Sequence, residues 1–275
     1  MTGHTNGTAQ AGFFELVQAR AEATGGLLCV GLDPRAATVD ELREQCGRLI
    51  EATAKFAVAY KPNSAFFEAH GPEGMLALLD VIATVPDDIP VLLDAKRGDI
   101  ASTSEAYARA AYDTLGALAL TVTPYVGLDG LAPFLARPSH AAFILCKTSN
   151  PGADEFQALA VQTADGPRPL YEVVAAHAQA ANTGGNVGLV VGATDLAAMV
   201  KVRAMAPDLW FLVPGIGAQG GDLAATLTAG LRRDGWGLLI NVSRTLADAA
   251  NPRAEAERLV RAMRATRADV LSQRG

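Results

Sequence analysis

Eight short apolar runs, each followed by a stretch with helical spacing, constrain the fold of this chain more than any other feature. The runs occupy residues 27–32, 56–60, 90–93, 117–122, 141–146, 187–191, 209–213 and 236–241. Near-continuous apolar segments of this length suit strands covered on both faces, as in a parallel sheet wrapped by helices. The intervening helices carry their own signals. Residues 13–23 have helical spacing and stop at Gly25-Gly26, and Thr38-x-x-Glu41 forms a capping box for a helix running towards Lys55. Pro72 marks the first turn of the next, and Ser102-x-x-Glu105 caps the one that closes at Gly116. Further helices are expected over 128–135, over 170–181, from a Thr194 cap to just before Pro207, and after the glycine loop that ends at Gly221. Asn251-Pro252 opens a closing, charged helix. Eight strand–helix units without a compositional break favour a single-domain (β/α)8 TIM barrel over an open doubly wound sheet. The 275 residues suffice, because such barrels reach this size as one domain. Residues 1–11 are expected to be a mobile arm and 12–275 the barrel.

Polar residues gather where the runs end: Asp33, Lys61, Asp94, Lys96, Thr123, Ser149, the glycine loop 214–221 and Arg244. In a barrel these ends share one rim, the rim on which active sites are built. The densest stretch is Asp94-Ala95-Lys96-Arg97-Gly98-Asp99, which places four charges in six residues at the mouth of a buried strand. Such charges are costly unless they pair or do chemistry. Strand alternation puts Asp94 and Lys96 on one face and Arg97 on the other, and Gly98 is expected to allow a sharp turn before Asp99. From the residues alone, Asp94 and Lys96 fit either a structural ion pair or a reacting pair. Asp99 equally fits a charge at a helix N-terminus, Lys61 a solvated strand-end lysine, and Asp33 and Ser149-Asn150-Pro151-Gly152 ordinary turns.

Gly215-x-Gly217-x-x-Gly220 follows a strand and matches the dinucleotide fingerprint in form. Only one strand follows it, too little chain for the nucleotide-binding half-domain that the fingerprint normally opens. A loop of exposed backbone N–H groups still makes a phosphate cradle, and Arg244 at the next strand end can close on the same phosphate as a bidentate donor. Residues 150–168 form a long polar excursion, read as a lid or a disordered loop.

A net charge of −6 argues against a general nucleic-acid surface. Three scattered cysteines and four dispersed histidines fit reduced thiols in a cytoplasmic protein, with neither a disulfide framework nor a histidine-ligated metal. No apolar run reaches the length of a membrane span, and the polar start lacks a signal-peptide core.

Taken together, these residues resemble orotidine 5′-monophosphate decarboxylase. The matching pieces are Gly31-Leu32-Asp33-Pro34, Lys61-Pro62-Asn63, Asp94-x-Lys96-x-x-Asp99-Ile100-x-x-Thr103, Ser149-x-Pro151-Gly152, the 214–221 loop and Arg244, in the family's order. The wording of the lysine and aspartate segments is similar to the bacterial type 2 branch. The resemblance implies a TIM barrel that converts orotidine 5′-monophosphate to UMP and CO2 in de novo pyrimidine biosynthesis, with no cofactor and no metal. It implies that Lys96 protonates C6 of the pyrimidine, beside a charge array of Lys61, Asp94, Lys96 and Asp99. It further implies that Asp33 and Lys61 bind ribose hydroxyls, that Ser149 reads the pyrimidine edge, and that Gln219 links phosphate and base. Arg244, Gln219 and nearby groups from Pro214, Gly215, Gly217 and Ser243 would hold the phosphate. Asp99 and Thr103 would reach the partner's ribose across a homodimer interface. Ser243 is a departure, since many relatives carry glycine there. On the same barrel, a metal-dependent sugar-phosphate lyase or aldolase would need a magnesium site and a base. A non-catalytic nucleotide-binding barrel would keep Arg244 and Gln219 but could lose Lys96.

Overall fold

Each of the eight apolar runs contributes a strand to one parallel sheet. The computed structural model describes residues 11–217 and 220–274. In chain order the strands are β1 (Leu28–Leu32), β2 (Ala59–Pro62), β3 (Leu92–Arg97), β4 (Ala119–Val122), β5 (Ala141–Lys147), β6 (Ala160–Thr163), β7 (Gly166–Pro169), β8 (Val187–Val191), β9 (Trp210–Val213) and β10 (Leu238–Val242). Eight of them pair in the order β2-β1-β10-β9-β8-β5-β4-β3. The two ends meet through parallel bridges from Tyr60 to Val91 and from Asn63 to Asp94, so the sheet curls into a nearly closed barrel. This is the expected (β/α)8 TIM architecture. Full burial of every residue in β1, β2, β4, β8, β9 and β10 explains why those runs read as unbroken apolar segments.

The helix Phe13–Thr24 covers the end of the barrel opposite the strand C-termini. Phe13 meets Phe143 edge-on at 5.7 Å, and Phe14 stacks on Trp210 at 6.1 Å. Gly188 makes room for this plug, since a Cβ there would sit 2.6 Å from the Phe143 ring. Sealing one end with aromatic burial leaves the C-terminal rim as the open face.

The helices follow most of their sequence signals. Thr38 Oγ1 accepts from the Glu41 N–H at 3.3 Å and completes the expected capping box for Val39–Thr53. Pro72 lies in the first turn of Gly71–Ala83, and Leu170–Ala181 has the expected limits.

Several details differ. The helix behind β3 is Ala101–Arg109 with Ile100 at its cap, so Ser102 caps nothing, because the chain enters the helix early through Ala101 at φ 35°. Asp195 rather than Thr194 caps Leu196–Met205, its carboxylate accepting from the Ala198 N–H at 2.9 Å. The second strand begins at Ala59, because Phe56 and Ala57 still bond back to the Thr53 carbonyl. The 150–168 excursion is not a bare loop: it holds a short helix, Asp154–Gln157, and the antiparallel hairpin β6–β7. Its backbone groups are thus paired locally, which a polar composition alone does not reveal. Two short helices without a strong periodic signal, Ser64–Glu68 and Arg244–Ala247, sit directly after β2 and β10. Residues 1–10 of the expected arm, 1–11, lie outside the described residues.

Candidate active site

The C-terminal ends of the barrel strands enclose a cavity of about 310 Å³, large enough for a small ligand. Asp33, Lys61, Asp94, Lys96, Ser149, Pro214, Gly215, Ser243 and Arg244 all line it. A larger cavity of about 540 Å³ lies beyond Asp33, Ser243 and Arg244. Chemistry rather than size identifies the site, because only the smaller cavity contains the lysine–aspartate array.

The array is built from three strands. Asp94, on β3, is buried. Its Oδ2 accepts from Lys61 Nζ of β2 at 3.0 Å, and its Oδ1 accepts from Lys96 Nζ at 2.6 Å. Thr121 of β4 also donates to Oδ1, at 3.0 Å. Lys61 Nζ lies 3.8 Å from Asp33 Oδ1, an ionic contact too long for a hydrogen bond. Charges therefore alternate from Asp33 through Lys61 and Asp94 to Lys96. Burial alone would raise the Asp94 carboxyl, but Lys61 and Lys96 overcome it and hold the group well below the usual carboxylate range. Burial likewise opposes charge on Lys61, and the fields of Asp94 and Asp33 more than reverse this, raising it above an ordinary lysine. Cys29, beneath the array, is pushed up to about 12 by burial and stays a neutral thiol.

Lys96 and Asp94 do share a face, though not by plain strand alternation. The β3–β4 register shifts between Leu93 and Arg97, and Lys96 adopts φ 47°. This bulge swings Lys96 over the cavity. Gly98 is not the left-handed turn residue. Its need for glycine is a close approach, since a Cβ would lie 2.4 Å from Thr123 Cγ2. Arg97 points away, pairing with Glu68 and lying over the Tyr107 ring at 5.2 Å.

The opposite wall is formed by the loops after β9 and β10. Gly215 and Gly217 have φ of 109° and 80°, a region open chiefly to glycine. Gly217 does not line the cavity but packs on Thr245, which would meet its Cβ at 2.5 Å. The glycine loop thus rests against the residue after Arg244. Arg244 is exposed at the mouth, and no hydrogen bond or ion pair occupies its guanidinium among the described residues. Gly31 admits Ser243, whose Oγ would lie 1.9 Å from a Cβ there. Gln219 lies outside the described residues.

Asp99 and Thr103 do not line this cavity. The Asp99 carboxylate accepts from the Ile100 N–H at 2.8 Å, and Thr103 is exposed on the following helix. Sequence reasoning missed Thr121, Asn63, Asn241 and Thr245 as lining residues. Each carried one signal, a polar side chain inside or just after an apolar run. Asp33 Oδ1 and Asn241 Oδ1 are buried without a hydrogen-bond partner, so two acceptors face this region unsatisfied. Leu145, Val190, Leu212 and Ile216 supply an apolar wall suited to a planar ring. Among the described residues, no three His, Cys, Asp or Glu side chains form a metal-binding group.

A parallel barrel with a lysine–aspartate array facing a glycine loop and an arginine across one rim cavity has the frame of the TIM-barrel enzymes that act on phosphate esters. Comparison with known proteins narrows the class. The chain belongs to the orotidine 5′-phosphate decarboxylase / HUMPS family, whose sequence model matches residues 26–259. It is 49% identical over 243 residues to orotidine 5′-phosphate decarboxylase of Roseiflexus castenholzii, covering 85% of this chain and 88% of that one. The solved OMP decarboxylase of Leishmania donovani superposes with a TM-score of 0.88 at 56% identity, over 93% of this chain and 98% of its own. The UMP synthase of the same organism matches at 57% identity and a TM-score of 0.90, over 94% of this chain but only 57% of that longer one.

Proposed function

We propose that this protein decarboxylates orotidine 5′-monophosphate to UMP and CO2, in de novo pyrimidine biosynthesis, with Lys96 as the acid. The observation that carries the reading is the Lys61–Asp94–Lys96 array at 3.0 and 2.6 Å, set on the rim of a family barrel. The C6–carboxylate bond breaks, CO2 leaves, and the electron pair remains at C6. Lys96 Nζ then donates a proton to C6, and solvent later restores it. Asp94 sits beside the departing carboxylate and, with Lys61, keeps positive charge aimed at the developing carbanion.

The other residues bind. Asp33 and Lys61 take ribose hydroxyls, and the unsatisfied Asp33 and Asn241 oxygens are suited to accept from them. Ser149 reads the pyrimidine edge. Arg244, the 214–216 backbone, Ser243 and Gln219 hold the phosphate, whose binding energy supports reaction at the distant carbon. No cofactor and no metal is needed for these steps.

Asp99 and Thr103, outside their own cavity, would complete the site of a second copy in a homodimer. Around them Ile100, Tyr125, Val126 and Leu128 are exposed, with Tyr125 86% accessible, an apolar patch that suits such an interface. Buried thiols fit a reducing, cytoplasmic setting, and no described helix is long and apolar enough to cross a membrane. Release of CO2 from carboxyl-labelled orotidylate by chelator-treated protein tests the reading. A protein that binds UMP but releases no CO2 would overturn it.

A further inference from the structure

A hydroxyl group has one proton and two lone pairs, and at Thr121 the neighbours account for all three. The backbone N–H groups of Ala95 and Lys96 donate to Thr121 Oγ1 at 3.0 and 2.9 Å. Both lone pairs are therefore engaged, and the proton is committed to Asp94 Oδ1 at 3.0 Å. That oxygen is the one that also accepts from Lys96 Nζ at 2.6 Å. Thr121 is buried at 1% exposure at the floor of the cavity.

The backbone explains why a side chain is required. Between Leu93 and Arg97 the β3–β4 ladder shifts register, and the amides of Ala95 and Lys96 lose their regular place in it. Amides that lose a ladder partner in a part-buried setting are costly to leave unpaired. The Thr121 hydroxyl, projecting from β4, stands in for the missing carbonyl. It also stabilises Lys96 at φ 47°, a conformation that residues with a Cβ seldom adopt.

We propose that Thr121 is a positioning residue for proton delivery: its single hydroxyl fixes the β3 bulge and the Asp94 carboxylate together, and so sets the direction of Lys96 Nζ. This rests on the reading of Asp94 and Lys96 as the reacting pair. Thr121 acts through them and need not touch the substrate's reacting carbon. Its loss therefore belongs in kcat and not in substrate affinity.

Three variants test it with orotidylate turnover, UMP affinity and thermal midpoint measured on each. Thr121→Val keeps the volume and removes the hydroxyl. Thr121→Ser and Thr121→Ala both lose the methyl group, and only serine keeps the hydroxyl, so their comparison holds even if the valine protein fails to fold. The expected result is a fall of about 100-fold in kcat for the valine and alanine proteins, with UMP affinity retained and serine restoring most of the turnover. Equal turnover by the serine and alanine proteins overturns the inference, as does a loss confined to KM. A wild type without decarboxylase activity overturns the functional reading itself, and this inference with it.

Discussion

Lys96 Nζ lies 2.6 Å from Asp94 Oδ1, although the backbone between them leaves strand geometry at Lys96. The pair is therefore made by a bulge and not by simple alternation. Lys96 remains half exposed on the cavity side while Asp94 is buried behind it. One member of the pair is free to meet substrate, and the other is held rigidly by four donors, from Lys61, Lys96, Thr121 and Asn63.

Asp94→Asn preserves shape and removes the central negative charge. Turnover of orotidylate is expected to fall about 10²–10³-fold in kcat, the scale of losing one preorganised electrostatic element. Stability reports the same group. A carboxyl depressed in the folded state stabilises the fold above its unfolded value, near 3.9, and loses that contribution as pH falls towards the folded value. The wild-type thermal midpoint should therefore drop below about pH 4, more steeply than that of the asparagine protein. Parallel pH profiles for the two would contradict the assigned environment of Asp94. Lys61 has the opposite sign: raised in the folded state, its contribution is complete below the ordinary lysine range and is lost as pH rises above it.

Arg244→Ala removes a charged donor from the phosphate wall. UMP affinity is expected to weaken about 10- to 100-fold, the value of one charge-assisted hydrogen bond, while uridine affinity stays unchanged. Titration of both ligands checks this. Equal weakening for uridine would place Arg244 elsewhere than at the phosphate.

The proposed sharing of each site between two copies makes Asp99→Ala and Lys96→Ala complementary. Each variant alone should be nearly inactive, whereas co-expression should yield mixed dimers with one intact site. Turnover by the purified mixture above either parent is the expected outcome. An active Asp99→Ala protein, or no recovery on mixing, would remove Asp99 from the partner's site.

The sequence made the barrel legible because both faces of its strands are buried, which leaves apolar runs that need little context. It made the rim legible because charged residues at the ends of those runs are conspicuous. Thr121 and Asn241 were not legible, since a single polar residue inside an apolar run does not show which backbone groups it meets. The Lys96 bulge was hidden for the same reason: it depends on a hydroxyl in the next strand. The 150–168 hairpin is not legible because its strands hold only exposed and half-buried residues and lack an apolar face. Asp99 and Thr103 were singled out by resemblance, and their place outside the cavity is what a single chain of such a dimer would present.

Lys96→Ala is the direct test of whether Lys96 supplies the proton at C6. Orotidylate absorbance and UMP binding would be followed with the same chelator-treated preparations of wild type and variant. The expected result is turnover by the wild type, none detectable by the variant, and UMP binding that survives in both. A variant that turns over orotidylate at close to the wild-type rate would contradict it.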